Sequence, residues 1–478
     1  MSSVKLNEIQ EPGEFQLLDA RLKTSTGLNV DIAKSIVGIT IFEDLFSSTI
    51  SGSIAIQDSI NLASVGPLIG QEYLFLKLKT PNLVDQDAAI DFSTDAFIVY
   101  NIGGREDAGN GVQVYVLSFV SQELIKDQRT KVKKSLVGPF SDIVESMLTN
   151  QLQTKKKIVI EPTAGVKKIV SPNLRPFDVI KMASKQSVSR DTREPTYVFY
   201  ESLKGFNFRS LASLYNQETK IVFNKDDPST NVSNRGIDVE AELRNILEFE
   251  ISSVNDSLVN YRTGMFASTM ITHDIISKTY STKIYNYLDE YSNETHIDKH
   301  PIVNDLPINK RGERVSDFPA RTFVMPTSLS GSNDSQHNTL TGNQPYAAYD
   351  PQRWLQRRNS QLIQLESGLN VNILIHGNTL LTVGDIVELN IPFTSSSLAK
   401  YVGDGEQSTV DKLFRKNFLI KRIRHEFDTA TSPFKHQMYV NLVRDGLDKK
   451  LESPEDNFEP ESLKSGGVEE YEYNSYPK

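Results

Sequence analysis

Two histidines have the spacing of a zinc site. In His296-Ile297-Asp298-Lys299-His300 the imidazoles are four residues apart, which on a helix puts both on one face. A metalloprotease needs Glu as general base directly after the first histidine, where this chain has Ile297, and Pro301 stops any helix at once. The pair therefore reads as polar loop residues and not as metal ligands. Gly103-Gly104, followed by Arg105, Glu106 and Asp107 with Gly109 and Gly111 close by, reads as a hairpin turn and not a phosphate cradle. Asp226-Asp227-Pro228 could supply half of a glycosidase pair, but 61 acidic residues make paired carboxylates uninformative, and acids before proline favour turns. Neither a nucleophile elbow nor a P-loop occurs. His425 and His436 fall in strand-like segments and read as structural. The expectation is a protein that is not an enzyme, with no metal and no cofactor; the enzymatic alternative is a metal-dependent or cell-wall hydrolase built on His296 and His300.

Composition bounds the rest. The chain has 478 residues, 38% hydrophobic and 24% charged, which is enough apolar material for two or three sizeable cores. It contains no cysteine, so disulfides, thiolate metal sites and cysteine nucleophiles are excluded. No apolar run approaches the length of a membrane span, and the opening residues lack the apolar stretch of a secretory signal. A net charge of -9 argues against general nucleic-acid binding through a basic face. The charge is uneven. Residues 448–478 hold nine Asp/Glu against four Lys, and residues 126–168 hold ten Lys/Arg against four Asp/Glu, among them Lys131, Lys133, Lys134, Lys155, Lys156 and Lys157. Such stretches are usually solvated surface; the alternative is that the basic one is a patch for an oppositely charged partner.

Most of the chain has the period-two pattern of strands. Leu74, Leu76 and Leu78 alternate with Tyr73, Phe75 and Lys77, and similar alternation recurs at Val112, Val114 and Val116, at Leu369, Val371, Ile373 and Ile375, and at Val387, Leu389 and Ile391. Three helices can be placed by their punctuation. One follows Ser141 as N-cap, with Ile143, Val144, Met147, Leu148 and Leu152 as its stripe; one starts at Pro176; one runs from Pro351 to Gly368 with Trp354, Leu355, Leu362 and Leu365 on its apolar side. Residues 301–343 and the acidic end from Leu451 have no periodicity and read as irregular.

A weak duplication organises these strands. Ser51-Gly52 with Ile54 and Ile56, then Gly70 heading GQEYLFLKL, Phe97 heading FIVYNI and the strand VQVYVLSFV make one series. Ser367-Gly368 with Val371, Ile373 and Ile375, then Gly384 heading GDIVELNIP, Phe418 heading FLIKRI and HQMYVNLVR make the second, in the same order. Each copy has a long polar loop between its second and third elements, the first holding Asp85, Asp87, Asp91 and Asp95, the second Asp404, Glu406 and Asp411. Loops of that length in small β-domains usually carry function, so these acids are candidate subunit or ring contacts. The segment from Glu248 to Tyr287, containing ILEFEIS and GMFASTMITHD, is a candidate for the early strands of the second copy. Three chains with two such modules each would present six similar modules in a ring.

The runs IFEDLFSSTISGSIAIQDSINLASVGPLIGQEYLFLKLKTP, SLVGPFSDIVESMLTNQL, SPNLRPFDVIKMAS, YVFYESLKGFNFRSL, GNTLLTVGDIVELNIP and MYVNLVRDGL resemble, in this order, the central baseplate hub protein of T-even-like contractile-tailed phages, which is related to the hub part of VgrG spikes. The resemblance spans roughly residues 14 to 447. It implies a mainly β fold with α+β insertions: two tail-tube-like β-barrel domains per chain plus smaller α+β domains. On this basis we divide the chain into a first barrel (1–120), an α+β domain (121–240), a discontinuous second barrel (241–295 and 366–447), an irregular insertion ending in a helix (296–365) and an acidic tail (448–478). The family's role implies a homotrimeric ring that adapts a six-fold tail tube to a three-fold spike and forms part of the DNA conduit. Its partners would be a separate trimeric spike protein, tail-tube or tube-initiator proteins and baseplate wedge proteins, with passage of DNA and no stable membrane association. It would be assembled in the host cytoplasm and reside in the virion. The hub of a phage-derived contractile injection system is the alternative within the same class.

Overall fold

A computed structural model describes residues 12–62, 66–80, 89–225, 242–253, 255–275, 278–304, 306–327, 351, 354–391 and 415–450. The first unit comprises β1 (Gln16–Lys23), β2 (Asn29–Asp31), β3 (Ile36–Asp44), β4 (Ser51–Asp58), β5 (Tyr73–Lys79), β6 (Ala89–Gly109) and β7 (Val112–Ser121). A middle region follows with β8 (Val132–Gly138), β9 (Ile158–Ile160), β10 (Lys167–Leu174), β11 (Tyr197–Ser202), β12 (Gly205–Ser210) and β13 (Thr219–Asn224). After it come β14 (Ile246–Ser253), β15 (Ala267–Asp274), β16 (Thr279–Asn286), β17 (His300–Pro301) and β18 (Arg321–Thr327). The chain then adds β19 (Leu369–His376), β20 (Ile386–Asn390), β21 (Lys416–Asp428), β22 (Lys435–Arg444) and β23 (Gly446–Leu447).

The fold is mainly β, as the alternation predicts. Leu74, Leu76 and Leu78 are fully buried on one face of β5, and Leu369, Val371, Ile373 and Ile375 are buried on β19. Each such side chain contributes about 1.5–3 kcal/mol when removed from water. On β7 the phase is the opposite of the one expected from its valines. Tyr115, Leu117 and Phe119 enter the core, and Val116 is left exposed. The larger side chains bury more apolar area, so they claim the inward face.

The duplication reappears as strand order. One 13-stranded sheet contains the series β3-β4-β7-β6-β5-β1 and the series β14-β19-β22-β21-β20-β13, which are the same arrangement twice. The irregularities coincide as well. Registers slip between Ile36 and Gly38 in β3 and between Ile246 and Glu248 in β14; they slip again between Val99 and Asn101 in β6 and between Ile420 and Arg422 in β21. Bulges fix register and twist, so matching bulges are stronger evidence of equivalence than alternation alone. The copies differ at their sixth strand, since β1 is antiparallel to β5 and β13 is parallel to β20. Of the candidate early strands, ILEFEIS supplies β14, the counterpart of β3, but GMFASTMITHD enters β15, which pairs with β16 and β18 in a separate sheet.

Each copy encloses its own core, one built around Ile39, Leu76 and Phe119, the other around Ile373, Val387 and Leu442. The middle region packs β8–β12 on the helices Phe140–Ser146 and Pro176–Gln186 through Val144, Leu148, Ile180 and Phe206. Pro176 opens its helix as expected, but the preceding one is capped by Pro139, and Ser141 lies inside it, its N–H held by Thr163 Oγ1 at 2.9 Å. The late helix begins at Leu355, not Pro351, and its buried side is mixed: Leu365, expected there, is buried together with Gln356, Ser360, Gln361 and Gln364. Their amides hold backbone in the neighbouring elements, as when Gln364 Nε2 donates to the Asp445 carbonyl at 2.7 Å. Trp354 is buried at its start. Within the stretch expected to be irregular, β18 is a regular strand paired with β15; residues 328–350 and the acidic tail from Leu451 lie outside the described residues.

Candidate assembly interface

The two copies are joined edge to edge. The second half of β21 pairs antiparallel with β3, so Arg422 lies opposite Asp44, Arg424 opposite Phe42, His425 opposite Ile41 and Phe427 opposite Ile39. The first half of β21 pairs with β20, so this long strand belongs to its own copy at one end and bridges to the other copy at the far end. Arg422 Nε donates to Asp44 Oδ2 across the seam at 2.8 Å.

Beneath the seam lies a buried polar chain. His425 Nε2 is 2.9 Å from Glu43 Oε1, and His425 Nδ1 is 3.2 Å from His436 Nε2. The other Glu43 oxygen accepts from the Leu203 backbone N–H at 2.8 Å. With Glu43 Oε1 as acceptor, His425 donates to it through Nε2–H. Burial, and then the neighbouring His425, holds the His436 pKa well below the usual imidazole range, so it stays neutral. Phe427 stacks on the His436 ring at 4.0 Å, and a Cβ at Gly377 would fall 2.0 Å from that ring, so only glycine fits there. The expected structural role of both histidines is what the geometry supports, although nothing in the sequence connects them to Glu43.

Two further ionic knots tie the middle region to the sheet. Lys156 Nζ sits 2.8 Å from Glu123 and 2.7 Å from Glu201, all three side chains being 6% exposed or less, and Glu201 also accepts from the Ile50 N–H at 2.9 Å. Around the zinc-like pair, His296 stacks on Tyr291 and its Nδ1 lies 2.8 Å from Asp445. Arg357 pairs with Glu194 and, at 3.1 Å, with Glu294. Burial pushes the Glu294 carboxyl up to about 7 despite Arg357. Such a shift can mark a general acid. Here the carboxyl and His296 are 2% and 3% exposed, sealed from any substrate, so the cluster is a structural knot. His300 is not drawn into it through its ring; its backbone carbonyl accepts from the Tyr291 hydroxyl at 3.0 Å.

The remaining candidates separate. Gly103, Gly104, Arg105, Glu106 and Asp107 are not a turn: they lie inside β6, and the hairpin turns at Asn110-Gly111, both with positive φ. Asn-Gly is the pair such a tight turn selects. Asp91 and Asp95 lie in β6 and not in a loop, and Asp91 pairs with Lys77 of its own chain at 2.6 Å. Asp85, Asp87, Asp404, Glu406 and Asp411, like Asp226 and Asp227, lie outside the described residues. Of the basic segment, Lys131, Lys133, Lys134, Lys155 and Lys157 are exposed. Lys156 is a correction: it is consumed inside the protein by Glu123 and Glu201, because a buried cation offsets part of the cost of burying two carboxylates.

Among the described residues several strands keep one edge unpaired, and two of these edges lie on β14 and β6. Among the described residues β14 pairs only with β19, and β6 beyond Ile98 pairs only with β7. The sequence is similar to that of the probable baseplate hub protein gp334 of Vibrio phage KVP40, 22% identical over 368 residues, covering 75% of this chain and 81% of that one. The chain is a relative of a phage baseplate hub protein. No protein-family model matches it. Among solved structures, the tail protein from Neisseria meningitidis MC58 aligns with 92% of the chain and 100% of its own length at 10% identity and a TM-score of 0.48. The 43 kDa tail protein of prophage MuSo2 from Shewanella oneidensis aligns with 89% and 98% at 9% identity and a TM-score of 0.48.

Proposed function

We propose that the chain is a structural, non-enzymatic hub of a phage tail baseplate, acting as a homotrimer in the virion. The observation that carries this reading is the repeated strand order: two equivalent six-stranded units in one chain let three chains present six, so that a three-fold object matches a six-fold one. The relative's name, a baseplate hub protein, supports the same reading. In this role each unit is a tube-like barrel, the second gaining β13 from the middle region. The tail tube or its initiator docks on one face of the ring, a trimeric spike on the other, and wedge proteins surround it. DNA leaves through the centre once the spike departs. The exposed lysines of residues 131–157 and the acidic loop residues are offered to these neighbours, except Asp91, which Lys77 engages.

The test is a mass measurement on the purified chain, alone and mixed with a trimeric spike protein from the same phage. Three hub chains per complex are expected. A complex with any other hub stoichiometry overturns the ring.

A further inference from the structure

We infer that the groove between the short helix Ser257–Thr263 and the late helix Leu355–Ser367 is the docking site of this chain's own acidic end, with Phe458 seated in it and an adjacent carboxylate on Arg358. The contact lies within one chain and does not depend on the ring.

The groove encloses about 350 Å³, with Val259 on one side and Leu355, Leu362 and Ile363 on the other. Leu258 and Val259 are 59% and 42% exposed on the short helix, so this apolar surface has no cover among the described residues. Arg358 lines the same groove. Among the described residues its guanidinium has no hydrogen bond or ion pair, and its Nε is buried. Burial, with no acid to oppose it, pushes this guanidinium down to about 10. Its neighbour Arg357 has Glu294 at 3.1 Å, and Glu366, the acid on the wall of the groove, is engaged by Lys421 at 3.0 Å. A desolvated cation without a counter-charge is unfavourable, and an arriving carboxylate offsets that. The groove therefore fits a segment with an apolar side chain next to an acid.

This chain carries such a segment. Residues 451–478, which lie outside the described residues, hold eight Asp/Glu against two Lys, and Phe458 sits in the run Glu455-Asp456-Asn457-Phe458-Glu459. The described chain approaches its end beside the late helix, where Gln364 Nε2 holds the Asp445 carbonyl at 2.7 Å. Arg358 is six residues before Gln364, about 9 Å along the helix axis, and Phe458 follows Asp445 by thirteen residues, an extended reach of about 43 Å. The competing site is the exposed lysines at 131, 133 and 134. Those ammonium groups are hydrated already and gain little from an ion pair, whereas Arg358 has lost its water and found no partner.

The chain has no cysteine, so introduced thiols are the only ones present. The full-length Val259→Cys/Phe458→Cys variant is oxidised mildly in dilute solution and run on a non-reducing gel. The expected product is a reducible one-chain species of raised mobility. Adding Arg358→Gln should slow its formation about tenfold, the worth of one charge-assisted hydrogen bond. A Lys134→Cys/Phe458→Cys chain should close at least about tenfold more slowly than the groove pair. The assignment is overturned by absence of the one-chain species, by equal closure at Lys134, or by a rate that ignores Arg358→Gln. A band of two linked chains alone also overturns it and gives the groove to a second copy's acidic end. Phe458→Ala, which changes no residue of the described fold, keeps the test open should Val259→Cys fail to fold. In that variant amide exchange in Ser257–Thr263 and in the late helix should accelerate at least about threefold while β8 and β10 keep their rates, and unchanged exchange in both helices overturns the docking.

Discussion

At the residue scale, the polar groups that look most like chemistry are fasteners. Glu294 has the elevated carboxyl of a general acid, but it lies under Arg357 and beside His296 where no substrate reaches. Its effect is on stability. Because its folded pKa of about 7 exceeds the ordinary value of 4.5, the unfolded chain loses this proton first as pH rises, so the group costs stability progressively between those values. Glu294→Gln removes that cost. Denaturant unfolding at pH 5 and pH 8 should show a smaller fall in stability for the variant than for the wild type, with a difference on the order of 3 kcal/mol. Equal falls in both would show that the carboxyl does not titrate as described. The departure of His296 and His300 from a metalloprotease pattern was legible in the sequence, since Ile297 and Pro301 are local facts. The partners of Lys156 and His425 were not. Glu123 and Glu201 come from distant segments, and a lysine among lysines has no local mark of burial.

At the element scale, the strands were legible wherever one face is buried, because period two then has a physical cause. The β6–β7 turn was misplaced because Gly103-Gly104 imitates turn chemistry inside a strand; the glycines there allow an irregularity in the ladder. The late helix keeps Leu362 and Leu365 on its packed side as expected, but glutamines and serines are buried beside them, and nothing in an apolar pattern marks those. Equivalence between the copies extends to packing. Gly52 on β4 faces Phe119 on β7, where the second copy has Val371 facing Leu442, so a small and a large residue take the place of two medium ones. A Cβ on Gly52 would lie 2.4 Å from both the Phe119 ring and the Thr40 carbonyl, and the latter is fixed in the β3 ladder. Gly52→Ala is expected to cost about 1–3 kcal/mol, read as a lowered denaturation midpoint. An unchanged midpoint would mean that β3 yields more easily than a paired strand should.

At the scale of the whole molecule, the sheet is continuous because one strand serves both copies, and Glu43 and His425 sit at that crossing. Glu43→Leu would leave His425 and the Leu203 N–H without their acceptor. Amide exchange in β3 and in the far half of β21 should then accelerate together, while β8 and β10 keep their protection. If β8 and β10 accelerate equally, the crossing is not a separate unit of stability. The duplication was visible in the sequence, but the join was not, because edge pairing depends on which open ladders meet and not on any local pattern.

The interleaving of the second copy has a consequence for biogenesis. All strands of the first copy are translated by Ser121, whereas the second draws on β13, β14 and β19–β22 and is incomplete until Arg444. The ribosome therefore releases a finished half well before the remainder can close. The far end of β21, among the last strands made, meets a β3 edge that has been waiting as a template since early in elongation.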